Sequence, residues 1–232
     1  LSVSSKNFRW QMEYLKKHNY NVISMQEGLN KIKSKNIKGK NIIISFDDGY
    51  QDFYINAYPI LSSLSFKCIL YIAPGYIESG KCYWWDKDIG NSSLLSWYQL
   101  QSLSKRDIIT IGSHSMDHLD LRNLDKSELE KDLLSSKQEL ECKTGCSVSD
   151  FSFPQGFINE AVKYAVKNIY KSGVLISNGK AITNKLKEDE AFTLKRTAVQ
   201  RSDGRYLFIA RIKGWLTLEE TAKRLIKGLF RK

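Results

Sequence analysis

The segment from Asn41 to Tyr50, which reads Asn-Ile-Ile-Ile-Ser-Phe-Asp-Asp-Gly-Tyr, restricts the possible folds of this chain more than any other. Its three consecutive isoleucines predict a β-strand that is buried on both faces. Two adjacent carboxylates without partners are too costly in the apolar part of such a strand, so we place Asp47 and Asp48 at its carboxyl end. In an α/β protein, that end of a parallel strand is where functional sites are built.

The same two aspartates also fit a purely structural role. Aspartate is a favoured N-cap residue, and a helix is predicted immediately downstream, at residues 52–64. Gly49 allows the chain to turn in either case. The Asp-Asp-Gly sequence alone therefore leaves a helix cap and a functional site open, and polar residues after other strands have to decide between them.

Predicted strands and helices alternate along the whole chain. Further strands are predicted at residues 20–24, 67–73, 108–111, 151–153, 174–177 and 192–199. Capping residues open the helices between them, such as Asp125 with Glu128 and, later, Asn159. Pro59 lies inside a predicted helix and predicts a kink or an early stop. The alternation predicts one α/β domain over residues 1–232 with a parallel sheet, either a barrel or an open doubly wound sheet.

The chain is strongly basic, with a formal net charge of +11. This charge favours a polyanion, an anionic membrane surface or an acidic glycan as a partner, although a lysine-rich surface that only maintains solubility explains it as well. No nucleic acid is expected, because the aromatic residues do not alternate with basic ones as in a nucleic-acid platform. The sequence has no run of 18 apolar residues, so no membrane-spanning helix is predicted.

A final helix is predicted from Thr217, which forms a capping box with Glu220. One side of this helix is apolar, and its other side carries the basic residues Lys223, Arg224, Lys227, Arg231 and Lys232. Such a helix can lie on an anionic surface, or it can pack on the domain with its basic side in solvent.

Three adjacent aromatic residues, Tyr83, Trp84 and Trp85, lie in a region that is predicted to be irregular, at residues 76–96. They could form a lid over the end of the sheet or a platform for sugar rings. The alternative is a loop that its tryptophans attach to the core.

Two of the three histidines, His114 and His118, lie four residues apart directly after a predicted strand. Together with Asp48, they would supply two imidazoles and one carboxylate at the same kind of strand end. This ligand set suits zinc, also accepts cobalt, nickel or iron, and leaves a coordination position for water. Asp47 would then lie beside that water as a general base, kept ionised by the nearby cation.

These residues carry a resemblance to a known family. Ser-Phe-Asp-Asp-Gly-Tyr (45–50) and His-Ser-Met-Asp-His (114–118) resemble the first two motifs of the polysaccharide deacetylases, the NodB homology domain of carbohydrate esterase family 4. Phe-Ser-Phe-Pro-Gln-Gly (151–156) resembles the third motif in the form seen in poly-N-acetylglucosamine-type deacetylases. The resemblance implies a distorted (β/α) barrel of about seven strands and metal-dependent removal of acetyl groups from N-acetylated sugars.

The resemblance also implies a role for individual residues. Asp47 matches the catalytic base, and Asp48, His114 and His118 match the ligands of a divalent metal, with Zn²⁺ favoured. Ser115 matches a residue that braces the second motif. The backbone N–H of Gln155 matches an oxyanion donor, a role that suits a main-chain donor acting beside a metal. The remaining expected substrate-binding residues are Pro154, Gly156, Tyr50, Trp84 and Trp85.

The chain departs from the family pattern in three places. Ser152 stands where an arginine commonly helps to fix the base, and Arg196, in a predicted strand, could substitute for it. No histidine follows His118, so the late histidine that acts as general acid in the family is absent. Members of this type often have a first strand upstream of the segment matching residues 1–18, and without it we expect the barrel to be open at one edge.

The sequence thus predicts a metal-dependent N-deacetylase acting on a polysaccharide or glycan precursor. One alternative is a glycan-binding protein that keeps the fold and the metal but has lost efficient catalysis, since the late histidine is absent. Another is a hydrolase of a different acyl or phosphoryl group at the same metal. The sequence does not decide the compartment, although the resemblance favours the cell envelope slightly.

Overall fold

The computed structural model describes residues 3–86, 93–176 and 188–215. The α-helices within these ranges are α1 (Ser5–Lys17), α2 (Met25–Lys33), α3 (Tyr58–Leu64), α4 (Pro74–Ser79), α5 (Trp97–Ser104), α6 (Lys126–Thr144), α7 (Glu160–Ile169) and α8 (Arg205–Ile212). The strands are β1 (Asn21–Val22), β2 (Asn41–Ile42), β3 (Ile44–Phe46), β4 (Cys68–Ile72), β5 (Ile109–Ser113), β6 (Asp150–Ser152), β7 (Ser172–Ile176) and β8 (Leu194–Arg196). The predicted helix that begins at Thr217 lies outside these ranges.

Six of these strands form one parallel sheet in the order β3-β4-β5-β6-β7-β8, in which every strand pairs with its neighbour in the sequence. The sheet curls into a half-barrel covered by helices, which confirms the predicted fold class, a distorted (β/α) barrel. The described sheet has six strands rather than about seven. In the described ranges no strand pairs with the outer edge of β3, and β1 and β2 form a separate parallel pair.

The prediction of one strand buried on both faces from Asn41 onward is wrong. The segment divides at Ile43 into β2 and β3, which belong to different sheets, and its residues are only partly buried. Two strands are buried along their whole length: β4, between β3 and β5, and the shorter β6. The segment from Asn41 and β4 are both apolar, and an apolar run does not show which strand has neighbours on both edges.

The predicted caps Asp125 and Asn159 are present, and each accepts a backbone N–H in the first turn of the helix that follows. Ser4 and Ser24 cap α1 and α2 in the same way. A π-helical turn at Phe53–Ala57 leads into α3, so the predicted irregularity near Pro59 is present without a stop. Pro59 lies in the first turn of α3, where its missing N–H leaves no helical hydrogen bond unmade.

Helix α8 was not predicted, because the residue that precedes it, Gly204, offers no side chain as a cap. It packs on α1 through Phe208, whose ring meets the rings of Trp10 and Tyr14 edge to face. Within the described ranges, no helix is both long enough and apolar enough to cross a membrane.

Candidate metal centre and catalytic base

Four strand ends bring the polar side chains of the site together. Asp47 and Asp48 follow β3, and the loop with both histidines follows β5. Ser152 is the last residue of β6, and Arg196 is the last residue of β8. The carboxyl ends of parallel strands share one side of a sheet, so residues distant in sequence meet at one place.

Asp48, His114 and His118 are the three residues that could hold a metal. Asp48 Oδ1 lies 3.6 Å from His114 Nε2 and 3.7 Å from His118 Nε2. The three candidate ligand atoms lie within 4.8 Å of one another. Zinc ligands at about 2.1 Å in tetrahedral geometry lie roughly 3.4 Å apart, so these spacings suit one shared ion.

Asp48 Oδ1 is buried, and it has no hydrogen-bond partner among the described residues. A buried carboxylate oxygen without a partner is unfavourable unless a cation binds it. Burial raises the pKa of Asp48 to about 6 and lowers the pKa of His118 to about 4. A neutral imidazole is the form that binds a metal, so the residues present fit a divalent cation.

The His114 ring is held by a hydrogen bond on the side away from Asp48. Its Nδ1 donates to the carbonyl oxygen of Ser152 at 2.7 Å, and the side chain is 2% exposed. With the proton on Nδ1, the lone pair of Nε2 faces Asp48. A backbone carbonyl in this position is a common way of fixing the tautomer of a metal-binding histidine.

Arg196 holds the carboxylate of Asp47 from the opposite edge of the sheet. Its Nη1 donates to Asp47 Oδ1 and its Nη2 to Oδ2, both at 2.7 Å. The same guanidinium donates to the hydroxyls of Ser45 and Ser152, at 3.0 Å and 2.8 Å. Ser152, which stands where the resemblance implies an arginine, thus contacts an arginine that comes from β8.

The electrostatic surroundings keep Asp47 ionised. Burial raises the pKa of this carboxyl, but the charge and hydrogen bonds of Arg196, together with the nearby histidines, outweigh burial and hold the pKa below its usual value. His114 Nε2 lies 3.9 Å from Asp47 Oδ2, beyond hydrogen-bond distance. Asp47 is therefore available beside the candidate metal ligands as a carboxylate base.

The segment Tyr83–Asp86 packs against the candidate ligands. Tyr83 donates from its hydroxyl to the Asp48 carbonyl oxygen at 2.9 Å. The rings of Tyr83 and Trp85 stack on each other, and both meet the His118 ring edge to face. Trp84 is 62% exposed. Tyr83 and Trp85 thus attach this loop to the site, while Trp84 stays exposed; a lid or a sugar platform remains a prediction.

Tyr50 connects this segment to the first motif. Its hydroxyl accepts a hydrogen bond from Trp85 Nε1 at 2.9 Å and donates to Asp86 Oδ2 at 2.5 Å. Burial raises the pKa of Tyr50, which remains a neutral donor. Part of the region predicted to be irregular, residues 87–92, lies outside the described ranges.

The third motif forms a short turn directly after β6. Pro154 is buried, and Gln155 is exposed in a left-handed conformation with φ of 56°. The turn closes through a hydrogen bond from Gly156 N to the Phe153 carbonyl oxygen at 2.9 Å. The turn therefore places the Gln155 backbone at the same end of the sheet as the candidate ligands.

Sequence reasoning missed the contacts that hold the histidine loop. The Ser115 hydroxyl is buried and has no hydrogen-bond partner within the described ranges, so it makes no bracing bond there. The backbone of Met116 is bonded instead, its N–H to Asp132 Oδ1 at 3.1 Å and its carbonyl oxygen to Gly75 N at 3.0 Å. Burial raises the pKa of Asp132 to about 6. A lone aspartate on a helix carries no signal for such a contact.

Comparison with known proteins agrees with this geometry. The family model described as polysaccharide deacetylase matches residues 34–172. YxkH of Bacillus subtilis, which is named as a polysaccharide deacetylase, is 29% identical over 183 residues, covering 78% of this chain and 61% of YxkH. The poly-β-1,6-N-acetyl-D-glucosamine N-deacetylase of Staphylococcus aureus is 24% identical over 227 residues, covering 97% of this chain and 71% of that enzyme.

A solved structure is similar as well. The crystal structure of a Bacillus anthracis protein, named as a polysaccharide deacetylase, has a TM-score of 0.76 and 26% identity, covering 90% of this chain and 62% of that one. This chain thus spans about three fifths of YxkH and of the B. anthracis protein. The family match covers more than half of the chain and includes the first two motifs. The chain therefore belongs to the polysaccharide deacetylase family.

Proposed function

We propose that this protein is a metal-dependent N-deacetylase that removes acetyl groups from the N-acetylated sugars of a polysaccharide or glycan precursor. The observation that carries the proposal is the grouping of Asp48, His114 and His118, with Asp47 held beside them by Arg196. The name of the S. aureus relative supports poly-N-acetylglucosamine as the first substrate to test.

In the proposed mechanism, Asp48, His114 and His118 hold a divalent cation, with zinc favoured over cobalt, nickel or iron. The cation supplies Lewis acidity toward the acetamide carbonyl and lowers the pKa of water. Asp47 accepts a proton from the attacking water as its oxygen bonds to the carbonyl carbon. The Gln155 N–H donates a hydrogen bond to the developing oxyanion.

The C–N bond then breaks, and the leaving nitrogen needs a proton. No histidine follows His118, so we assign this proton to Asp47, which received one in the first step. The products are acetate and a free amine. Arg196 acts through Asp47, because it orients both carboxylate oxygens.

Tyr50, Trp84 and Trp85 are proposed to contact the glycan, together with the turn from Pro154 to Gly156. The exposed ring of Trp84 offers an apolar face for a sugar, and the attachment of Trp85 to His118 keeps that face near the site. We also propose that residues 1–232 form a single domain located at the cell envelope.

Peripheral contact with an anionic surface is a further part of the proposal. The basic helix predicted from Thr217 lies outside the described ranges. Exposed aromatic and basic residues at the end of the described chain support the proposed surface contact. Tyr206 and Trp215 are 89% and 62% exposed, and Arg205 and Lys213 beside them are exposed as well. Sedimentation with anionic but not with zwitterionic vesicles is the expected result, and equal sedimentation with both would contradict it.

The test combines metal analysis with acetate release from N-acetylglucosamine oligomers. We expect bound zinc in the parent protein, loss of zinc in Asp48→Ala and His114→Ala, and zinc without acetate release in Asp47→Asn. The matched control is Asp52→Asn, which changes an exposed carboxylate just after the first motif and should behave like the parent.

Two outcomes would contradict the proposal. Unchanged zinc in Asp48→Ala and His114→Ala would place the metal elsewhere. Zinc binding without acetate release from any of a panel of N-acetylated glycans would favour the non-catalytic glycan-binding alternative, which the absent late histidine also favours.

A further inference from the structure

The loop that carries both histidines, residues 114–118, has an unfavourable backbone conformation. Ser115 has φ of 61° and His118 has φ of 52°, both in the left-handed region that residues with a side chain rarely adopt. Such conformations persist when surrounding contacts determine them. The relevant contacts are those that hold the loop between its two histidines.

Both peptide groups of Met116, at the centre of this loop, are bonded to elements outside it. On one side, Asp132 of α6 accepts the Met116 N–H at 3.1 Å and also accepts a hydrogen bond from the Asp117 backbone. On the other side, Gly75 at the start of α4 donates its N–H to the Met116 carbonyl oxygen at 3.0 Å. One carboxylate therefore binds two successive backbone groups of the loop.

Helix α6 holds the carboxylate of Asp132 in a fixed position. Ser136, one turn after Asp132, shares a buried hydrogen bond of 2.7 Å with the hydroxyl of Ser113, the last residue of β5. Tyr170 donates from its hydroxyl to the Leu133 carbonyl oxygen at 2.8 Å, and the Leu133 side chain is fully buried. Because α6 is attached to the strand from which the loop leaves, Asp132 has a defined position relative to His114.

We propose that Asp132 is a positioning residue that holds the 114–118 loop so that the His114 and His118 rings face Asp48. The inference rests on the metal centre of the proposed function, which it extends to a residue outside the family motifs. Asp132 acts through the Met116 and Asp117 backbone. Outer contacts that orient metal ligands typically change metal affinity by about 10- to 100-fold when they are removed.

The experiment measures zinc affinity of the metal-free protein by competition with a chromophoric chelator, alongside its thermal midpoint. Asp132→Ala should bind zinc about 10- to 100-fold more weakly than the parent. Asp132→Asn keeps a carbonyl oxygen in place, so its zinc affinity should stay within about fivefold of that of the parent. Asp132→Glu keeps the charge but moves the oxygen, and it should bind more weakly than Asp132→Asn. The control is Glu130→Ala, which removes an exposed carboxylate of the same helix and should leave zinc affinity unchanged.

Unchanged zinc affinity in Asp132→Ala, with only the thermal midpoint lowered, would overturn the inference, because Asp132 would then serve the fold alone. Stronger binding by Asp132→Glu than by Asp132→Asn would also overturn it, since charge rather than position would matter. This second comparison decides the question if Asp132→Ala does not fold. Absence of zinc binding by the parent would overturn both this inference and the proposed metal centre.

Discussion

The two halves of the candidate site are held by different parts of the molecule. The histidine half follows β5 and is bonded to β6, two strands that lie inside the sheet, and His114 and His118 are themselves buried. The half with the candidate base, Asp47, lies at the seam between β3 and β8, the two edges of the described sheet. A cavity of about 1450 Å³ lies along this seam, and its lining includes Asp47 and Arg196.

The difference shows how each half keeps its geometry. Backbone hydrogen bonds and packing from α4, α6 and β6 hold the histidine loop. At the seam, the guanidinium of Arg196 reaches from β8 to Ser45 and Asp47 on the β3 side. Loss of Arg196 should therefore affect the candidate base and spare the candidate metal ligands, because its hydrogen bonds go to Ser45, Asp47 and Ser152. Changes beside the histidine loop should affect metal binding.

The largest effect is expected from Arg196→Met, which removes the guanidinium that bonds Ser45 and Asp47 across the seam. Asp47 would lose both of its guanidinium hydrogen bonds, and kcat for acetate release should fall about 100-fold, since a positioned base contributes about 10²–10⁴. Zinc content should not change. Lys195→Met, at the exposed neighbouring position of β8, is the control. Loss of zinc in Arg196→Met would show that the two halves are not independent.

Gly75→Ala tests the histidine half from the side opposite Asp132. An added Cβ would lie 2.0 Å from Asp117 Oδ1 and 2.9 Å from the Met116 carbonyl oxygen. Displacing the loop should cost about 1–3 kcal/mol of stability, measured by denaturant unfolding, and should weaken zinc binding. Gly204→Ala meets no atom within 4 Å and is the control. A stable Gly75→Ala protein with normal zinc affinity would argue against a tightly held loop.

Tyr83→Phe is expected to have a smaller effect. It removes the hydroxyl that donates to the Asp48 carbonyl oxygen and leaves the ring contacts with Trp85 and His118 in place. A loss of about 0.5–1.5 kcal/mol in unfolding free energy is expected, because one hydrogen bond is removed. If zinc affinity fell more than it does in Asp132→Ala, the aromatic segment would be the more important support.

The smallest effect is expected from Glu27→Gln, far from both halves. A hydrogen bond from Lys67 lowers the pKa of Glu27 to about 2. Because the folded pKa is depressed, the ionised form stabilises the protein above the unfolded pKa of about 4.3, and this stability is lost as pH falls toward 2. The pair is largely exposed, so the difference from parent at pH 7 should be below about 1 kcal/mol. A difference independent of pH would contradict this account.

The sequence predicted where helices and strands lie better than it predicted which strands pair with each other. Capping residues and strand–helix alternation are local signals, so Asp125 and the strand at Cys68–Ile72 could be placed in advance. The position of β3 at a sheet edge depends on pairing partners, which an apolar run does not encode. Placement at strand ends and the four-residue histidine spacing singled out the two aspartates and the two histidines that the structure brings together, and the motif resemblance assigned their roles.

The supporting contacts of the site were harder to predict. Arg196 emerged from the sequence only as one possible replacement for a missing arginine, because nothing local ties a residue in β8 to one after β3. Asp132 and Gly75 act on backbone groups, which look the same in every residue. Their importance depends on where α4 and α6 meet the loop, a property of the assembled fold.

The left-handed backbone limits how this centre could be moved to another scaffold. Asp48 and His118 both have positive φ, so copying only their side chains onto a regular helix or strand would aim the donor atoms elsewhere. Directed evolution of this region should tolerate asparagine or glycine at the neighbouring Ser115 and reject valine or isoleucine, whatever their fit to the surrounding volume. An engineer who transplants the centre has to transplant its turns.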